Sequence, residues 1–397
     1  LNPLLVNLQC SDCSAIYPAN QLINLCTCGK PLMAMYDLAG VRKALSPDIL
    51  KDRPHSMWRY GELLPVKSLD QIISLGEGCT PLLDVKSVAN KLGLAKVWVK
   101  DEGCNPTGSF KARGLSVAVT MAKLLGAKKL GIPSAGNAGG ALAAYAARAG
   151  LEANIFMPQD VPITNRVECE AVGANIYLVN GLITDCGQIV GERAKTEGWF
   201  DLSTLKEPYR IEGKKTMGFE LAEQLKWSLP DVIIYPTGGG TGLVGMWKAF
   251  HEMQQLGWIG SKLPKMVSVQ STGCCPIVKA FHSNQSSCEP WLKAVTIAAG
   301  LRVPRAIGDF LMLKILRKSG GTAISVEDEE MMREIQEIGQ TEGLLLCPEG
   351  GASFAALKQL KNSGFLSQKD EVVVFNTGSG IKYGHLFEDT SSDGVNP

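Results

Sequence analysis

Residues 231–250 read DVIIYPTGGGTGLVGMWKAF. VIIYP is a short, unbroken apolar run, as expected of a strand buried on both faces, and it stops at a proline and three glycines. The apolar-periodic stretch LVGMWKAF follows at once and reads as a helix. A strand, a glycine loop and a helix in direct succession form the unit of an α/β fold with parallel strands. The unit recurs along the chain. KVWVK predicts a strand and GLSVAVTMAKLLGA a helix; KLGIPSA and EANIFMP predict strands, separated by the helix AGGALAAYAARAG. TNRVECEAVGA is a further helix, and NIYLV, KMVSVQ and EVVVFNTG are later strands. The expected fold class is α/β, with parallel or mixed sheets flanked by helices. Ligands of such sheets sit at the carboxyl ends of the strands. Four strand ends carry unusual loops: NPTGSFK (105–111), SAGNAGG (134–140), PTGGGTG (236–242) and NTGSG (376–380). They are expected to build one site.

Composition narrows the partners. The chain has 397 residues, 45% hydrophobic and 20% charged, with a net charge of +1. That is ordinary globular chemistry with no electrostatic case for nucleic acid or an acidic membrane, so the expected partner is a small molecule. No apolar run reaches bilayer length, and LNPLLVNLQC lacks the basic start and cleavage site of a signal peptide; the expected location is the cytoplasm. Twelve cysteines, several in apolar runs, suggest reduced thiols. Two close pairs stand apart, Cys10 and Cys13 in CSDC and Cys26 and Cys28 in CTC. They are candidate ligands of a structural zinc, the alternative being four free thiols in a small subdomain. The expected organisation is an N-terminal segment, 1–75, holding this knuckle at 10–28, then a catalytic region, 76–390. A smaller mobile subdomain at about 115–215 is inserted in it, and a polar tail, 391–397, follows.

GTGLVG (Gly240, Gly242, Gly245) matches the dinucleotide pattern G-x-G-x-x-G. The next strand should then end in an acid, yet KMVSVQ ends in Gln270, which disfavours a nicotinamide-dependent oxidoreductase. Gly238, Gly239 and Gly240, with Thr241 and Gly242, suit a nest of N–H groups around one phosphate monoester at a helix N-terminus. A lysine framed by small polar residues, Lys111 in NPTGSFKARG, supplies an amine. Phosphate-binding glycines with such a lysine point to pyridoxal phosphate, whose aldehyde condenses with the amine. Phe110 would pack near the ring, Asn137 would face the phenolic oxygen, and Thr377 or Ser379 the pyridine nitrogen.

NPTGSFKARG resembles the Schiff-base segment of the fold type II (tryptophan-synthase-β-like) pyridoxal phosphate enzymes. SAGNAGGALAAYAARAG resembles their asparagine loop and PTGGGTG their phosphate loop. The resemblance runs from about Gly76 to Lys382. Within this group, NPTGSFK, YRIEGKKT (209–216), TGSGIK (377–382) and the cysteine-pair N-terminus are similar to the threonine synthase family. The resemblance implies a two-domain enzyme with the cofactor in the cleft and a homodimer. It implies a lyase of threonine biosynthesis that converts O-phospho-L-homoserine and water to threonine and phosphate. It places the catalytic amine at Lys111, the pyridine-nitrogen partner at Thr377, and a substrate arginine at Arg210. Candidate helpers around the substrate are Thr107, Ser109, Ser134, Arg166 and Lys215.

The pattern departs from that family in several places. The Asp usual after the lysine is Ala112, an Asn-Ser pair before the arginine is Thr204-Leu205, and the histidine of T-G-H-G is Ser379. The phosphate loop is glycine-rich, like that of serine and threonine dehydratases. A threonine or serine dehydratase, or a β/γ-replacement enzyme similar to cysteate synthase, is therefore the alternative expectation.

Overall fold

The computed structural model describes residues 1–66 and 68–387; the polar tail lies outside them. Three sheets organise the chain. The largest has six strands in the order Thr322–Val326, Lys265–Ser271, Val232–Pro236, Glu371–Asn376, Lys96–Asp101 and Leu82–Asp84. Its first five strands run parallel, and Leu82–Asp84 closes the edge antiparallel to Lys96–Asp101. Val232–Pro236 sits at the centre with all five residues buried, which is why its sequence is continuously apolar. Helices cover both faces. Pro348–Asn362 packs on one side with Phe354, Leu357 and Leu360, and Thr241–Leu256 lies on the other with Leu243, Met246 and Phe250.

The second sheet has four parallel strands, ordered Asn175–Val179, Glu152–Pro158, Lys129–Pro133 and Trp199–Asp201. In chain order it falls between Lys96–Asp101 and Val232–Pro236. Its core is the alanine-rich face of Asn137–Ala149 packed against Leu130, Ile132 and Ile155. The strands Leu82–Asp84, Trp199–Asp201 and Thr322–Val326 were not expected from periodicity: the first two have three residues each, too few to show any.

The N-terminus is a third, antiparallel sheet, Ile16–Tyr17, Leu5–Cys10 and Leu32–Tyr36. Residues beyond it do not form a loose linker. The 3-10 segment Met57–Leu63 is wholly buried, and Trp58 donates to Glu77 at 2.8 Å. The N-terminal sheet packs on Val117 and Met121 of the helix Lys111–Leu124, and on Tyr209. Tyr209 donates to the Ala19 carbonyl at 2.8 Å, and Asn24 donates to the Asp201 carbonyl at 2.6 Å. The N-terminal module is thus seated on the segment that begins where Trp199–Asp201 ends. Among the described residues no helix is long and apolar enough to cross a membrane.

Candidate active site

Lys111 opens the helix Lys111–Leu124. The turn before it is tight: Thr107 and Gly108 both have left-handed backbone, φ +61° and +60°. Such a conformation strains a threonine and persists only where the surroundings hold it. They do so here. Phe110 N–H donates to the Thr377 carbonyl at 3.1 Å, and Ser379 N–H donates to the Gly108 carbonyl at 2.8 Å. Two of the four loops are therefore stitched together by main chain.

The amine of Lys111 lies 4.2 Å from the Phe110 ring centroid and has no ion-paired carboxylate among the described residues. Burial pushes its pKa down to about 7; the Arg210 guanidinium adds to this, and Glu349 opposes it. Arg210 is itself fully buried. Its Nη1 donates to the Leu202 carbonyl at 2.7 Å, while Nε and Nη2 have no partner among the described residues. A third buried basic group, the Lys214 amine, sits 4.0 Å from the same Phe110 ring and donates to the Phe110 carbonyl. Burial and then Lys111 drive its pKa well below the lysine range.

These basic groups converge because two helices touch through glycine. A Cβ on Gly213, in the helix Arg210–Gln224, would strike the Arg113 carbonyl; one on Gly114 would lie 2.9 Å from the Arg210 carbonyl. Only glycine lets the two backbones meet there. Two residues past Lys111, Arg113 is treated differently. It reaches both Glu102 oxygens at 2.7 and 2.8 Å and both Glu220 oxygens at 2.6 and 2.7 Å, all of them buried.

Lys111 faces a cavity of about 760 Å³ lined by all four loops, within the usual range for a small-molecule site. Asn137 opens the helix Asn137–Ala149, and its Oδ1 is buried without a partner among the described residues. Ser134 lines the wall, with its hydroxyl accepting from Gly136 and Gly139 N–H at 3.2 and 2.8 Å. Gly238, Gly239, Gly240, Thr241, Gly242 and Thr377 complete the rim. Gly240 takes φ +80° ahead of the helix Thr241–Leu256, which no side chain caps. Its free N–H groups make an anion site. Gln270 braces this loop: its amide donates to the Thr237 carbonyl at 3.2 Å, and its oxygen accepts from Ile277 N–H at 2.8 Å.

Several expected residues lie elsewhere. Arg166 is outside the lining, in an exposed pair with Glu170 at 2.7 Å one helical turn away. Lys215 is locked between Glu212 at 2.6 Å and Glu252 at 3.0 Å beneath the helix. Both positions are corrections to the expectation that they face the substrate. Thr107 and Ser109 bury unpartnered hydroxyls just behind the lining, and Ser379 Oγ is taken by Ile381 N–H at 3.3 Å. The lining residues that the sequence did not reveal include Lys30, Arg305 and Glu349. Glu349, in CPEGG, accepts from Gly300 N–H at 2.7 Å and Tyr383 hydroxyl at 3.0 Å, leaving Oε2 buried without a partner among the described residues. An acid directly after a proline in the apolar run GLLLCPEGGASFAAL was the available signal.

The cysteine knuckle also reaches the cavity. The sulfurs of Cys10, Cys13, Cys26 and Cys28 all lie within 4.8 Å of one another, and Cys28, Gly29 and Lys30 line the cavity wall. The Tyr17 hydroxyl donates to Cys26 Sγ at 3.3 Å and brings that thiol down to about 6.

Comparison with known proteins agrees with this geometry. The family description "pyridoxal-phosphate dependent enzyme" matches residues 73–378. The threonine synthase of Methanocaldococcus jannaschii is 36% identical over 375 residues, 94% of this chain and 92% of that one. The chain belongs to the threonine synthase family of pyridoxal-phosphate dependent enzymes. A second threonine synthase, from Methanosarcina acetivorans, is 35% identical over 95% of this chain and 92% of its own. Among solved structures, maize serine racemase superposes with a TM-score of 0.67 at 21% identity, covering 78% of this chain and 91% of that one. Threonine deaminase isoform 2 of Solanum lycopersicum superposes at 0.65 and 20% identity, covering 78% and 82%. These two speak to the fold alone.

The residues of this threonine synthase family member fit its cofactor. An amine with a lowered pKa, an orphaned Asn137 oxygen and an uncapped helix N-terminus behind three glycines all face one cavity. Pyridoxal phosphate asks for an amine, a polar partner and an anion site of this kind.

Proposed function

We propose that this protein is a threonine synthase that takes O-phospho-L-homoserine and water to L-threonine and phosphate. The observation that carries the reading is 36% identity to a threonine synthase over 94% of the chain, with Lys111 on the floor of the shared cavity. Lys111 Nζ would hold the cofactor, the N–H groups of residues 238–242 its phosphate, Asn137 its phenolic oxygen and Thr377 its ring nitrogen, with Phe110 against the ring. Bound pyridoxal phosphate supplies an electron sink for charge developing at the substrate's α carbon.

Lys111 Nζ, with its pKa near 7, is poised to take a proton at neutral pH. Once the substrate's amine has displaced it, Lys111 Nζ would take the α proton of the substrate and, after handing that on, the β proton, one of the two passing to the departing phosphate. Phosphate departs from the γ carbon, water adds at the β carbon, and Lys111 returns protons to carbon. Ser134 on the cavity wall would hold the anionic end of the substrate, and Arg210, buried behind the lining with two N–H-bearing nitrogens unpartnered among the described residues, would supply positive charge to it together with the hydroxyls of Thr107 and Ser109. Arg166 and Lys215 receive no substrate contact in this scheme. Phosphate and threonine released in equal amounts from O-phospho-L-homoserine by the purified holoenzyme would support the proposal. Formation of a 2-oxo acid and ammonia from threonine or serine instead would make it a dehydratase.

The finer parts of the reading are proposals too. The four thiolates hold a structural zinc: sulfurs this close suit a tetrahedron with metal–sulfur bonds of about 2.3 Å. Metal analysis should find one zinc per chain, lost in Cys13→Ser. The enzyme acts as a homodimer in the cytoplasm, which is checked by light scattering and by fractionation.

A further inference from the structure

The knuckle and the active site share a wall, and that wall is cationic. Lys30 and Arg305 both line the cavity, and neither has a carboxylate partner among the described residues. Lys206, which also lines it, is already paired with Asp201 at 3.1 Å. The acid nearest in sequence to Arg305 is Asp309, and its oxygens are taken by Cys288 N–H at 2.6 Å and Phe310 N–H at 2.7 Å. The Lys30 ammonium lies 4.5 Å over the Phe310 ring. Phe310 belongs to the helix Asp309–Lys318, whose Met312 packs on Gly240 of the glycine loop. Two cations without a carboxylate partner among the described residues thus line the same cavity as a loop built for an anion, and Lys30 connects to that loop through Phe310 and its helix.

The backbone that delivers Lys30 is fixed. Cys26 N–H donates to the Lys30 carbonyl at 3.0 Å, and Gly29 N–H donates to the Cys26 carbonyl at 2.8 Å, so the turn carrying Lys30 closes on a cysteine of the cluster. Asn24 ties the same loop to residues 201 and 206. We propose that Lys30 and Arg305 bind a phosphate monoester dianion in the active-site cavity, and that the metal-bearing cysteine knuckle holds Lys30 in position to do so. The inference goes beyond the assignment of Arg210 and deepens the proposed function, on which its choice of substrate rests. Two phosphates share this chemistry, the cofactor's own and the substrate's leaving group.

The test separates them. Lys30→Met and Arg305→Met are compared with the wild type and with the exposed control Lys369→Met. Affinity for pyridoxal phosphate is read by absorbance titration of cofactor-free protein. Binding of inorganic phosphate to holoenzyme is read by cofactor fluorescence, and KM against kcat is read with O-phospho-L-homoserine. Loss of one charge-assisted hydrogen bond to phosphate should weaken binding by about tenfold or more. A rise in the cofactor's dissociation constant assigns the rim to the cofactor; a rise in KM and in the phosphate constant, with the cofactor constant unchanged, assigns it to the substrate. Lys30→Arg should restore either. Cys13→Ser, freed of metal, should weaken the same constant as Lys30→Met, and to a smaller extent. If all phosphate constants stay within twofold of wild type in both methionine variants, the rim is overturned. If only Cys13→Ser is without effect, the role of the knuckle is overturned. A wild type that binds phosphate at this rim but does not turn over O-phospho-L-homoserine would refute the proposed function and leave the rim standing.

Discussion

Lys111 and Arg113 are two residues apart on one helix, and they meet opposite electrostatic fates. Arg113 is buried against two carboxylates with four hydrogen bonds of 2.6 to 2.8 Å, and Lys100 joins the network through Glu220 at 3.1 Å. Lys111 is buried, and its charge feels Arg210, which lowers its pKa, and Glu349, which opposes that; the neighbouring Lys214 amine is itself held well below the lysine range. The first arrangement neutralises charge and anchors the helix start. The second leaves Lys111 without an ion pair among the described residues and, through burial, lowers its amine pKa to about 7. A fully paired arginine thus anchors the helix two residues from an amine whose proton is easily removed.

The most severe way to break this comparison is Lys111→Ala. Activity should fall by about 10⁴-fold, the upper range for general acid–base catalysis, and the visible absorption of the bound cofactor should vanish. A coloured, active Lys111→Ala would place the amine elsewhere. Arg113→Met comes next. It strands Glu102 and Glu220 as buried charges and should cost about 3–5 kcal/mol in urea unfolding. An unchanged midpoint would show that the network is not holding the helix.

Acid sharpens the same contrast. Burial alone would raise the Glu220 pKa, but Arg113 and Lys100 outweigh it and hold Glu220 at about 2, below its ordinary 4.5. Its stabilisation is therefore present above pH 4.5 and is lost as the pH falls from there through 2. Wild-type stability should drop across that window, and a Glu220→Gln variant should drop less. The smallest effects concern Lys111 itself. Arg210→Met should raise the amine pKa above 7 and Glu349→Gln should lower it, since the two neighbours act with opposite sign. The pH dependence of amine modification in cofactor-free protein measures both; no shift in either variant would mean that burial alone sets the value.

The sequence showed the parts of the site that are local. A lysine among small polar residues and three glycines after an apolar strand are contiguous signals, because the turn and the helix start they build are contiguous. The buried pair partners were not legible. Glu102 and Glu220 stand 11 and 107 residues from Arg113, and no spacing rule connects them. Arg166 and Lys215 read as candidate substrate-binding residues, yet local acids at 170 and 212 pair with them in the structure. The cysteine knuckle was visible as a motif, but its place on the cavity wall was not. That place depends on Asn24 and Tyr209 docking across more than 170 residues of chain. Short strands such as Trp199–Asp201 were missed because three residues carry no periodicity.

The glycine contact between the helices Lys111–Leu124 and Arg210–Gln224 has a mechanical consequence. With Gly213 seated on the Arg113 carbonyl and Gly114 on the Arg210 carbonyl, the two starts form one rigid strut. The helix starts that carry Lys111 and Arg210 are thereby held at a fixed span. Variants that widen the crossing, Gly213→Ala first among them, should displace both side chains together.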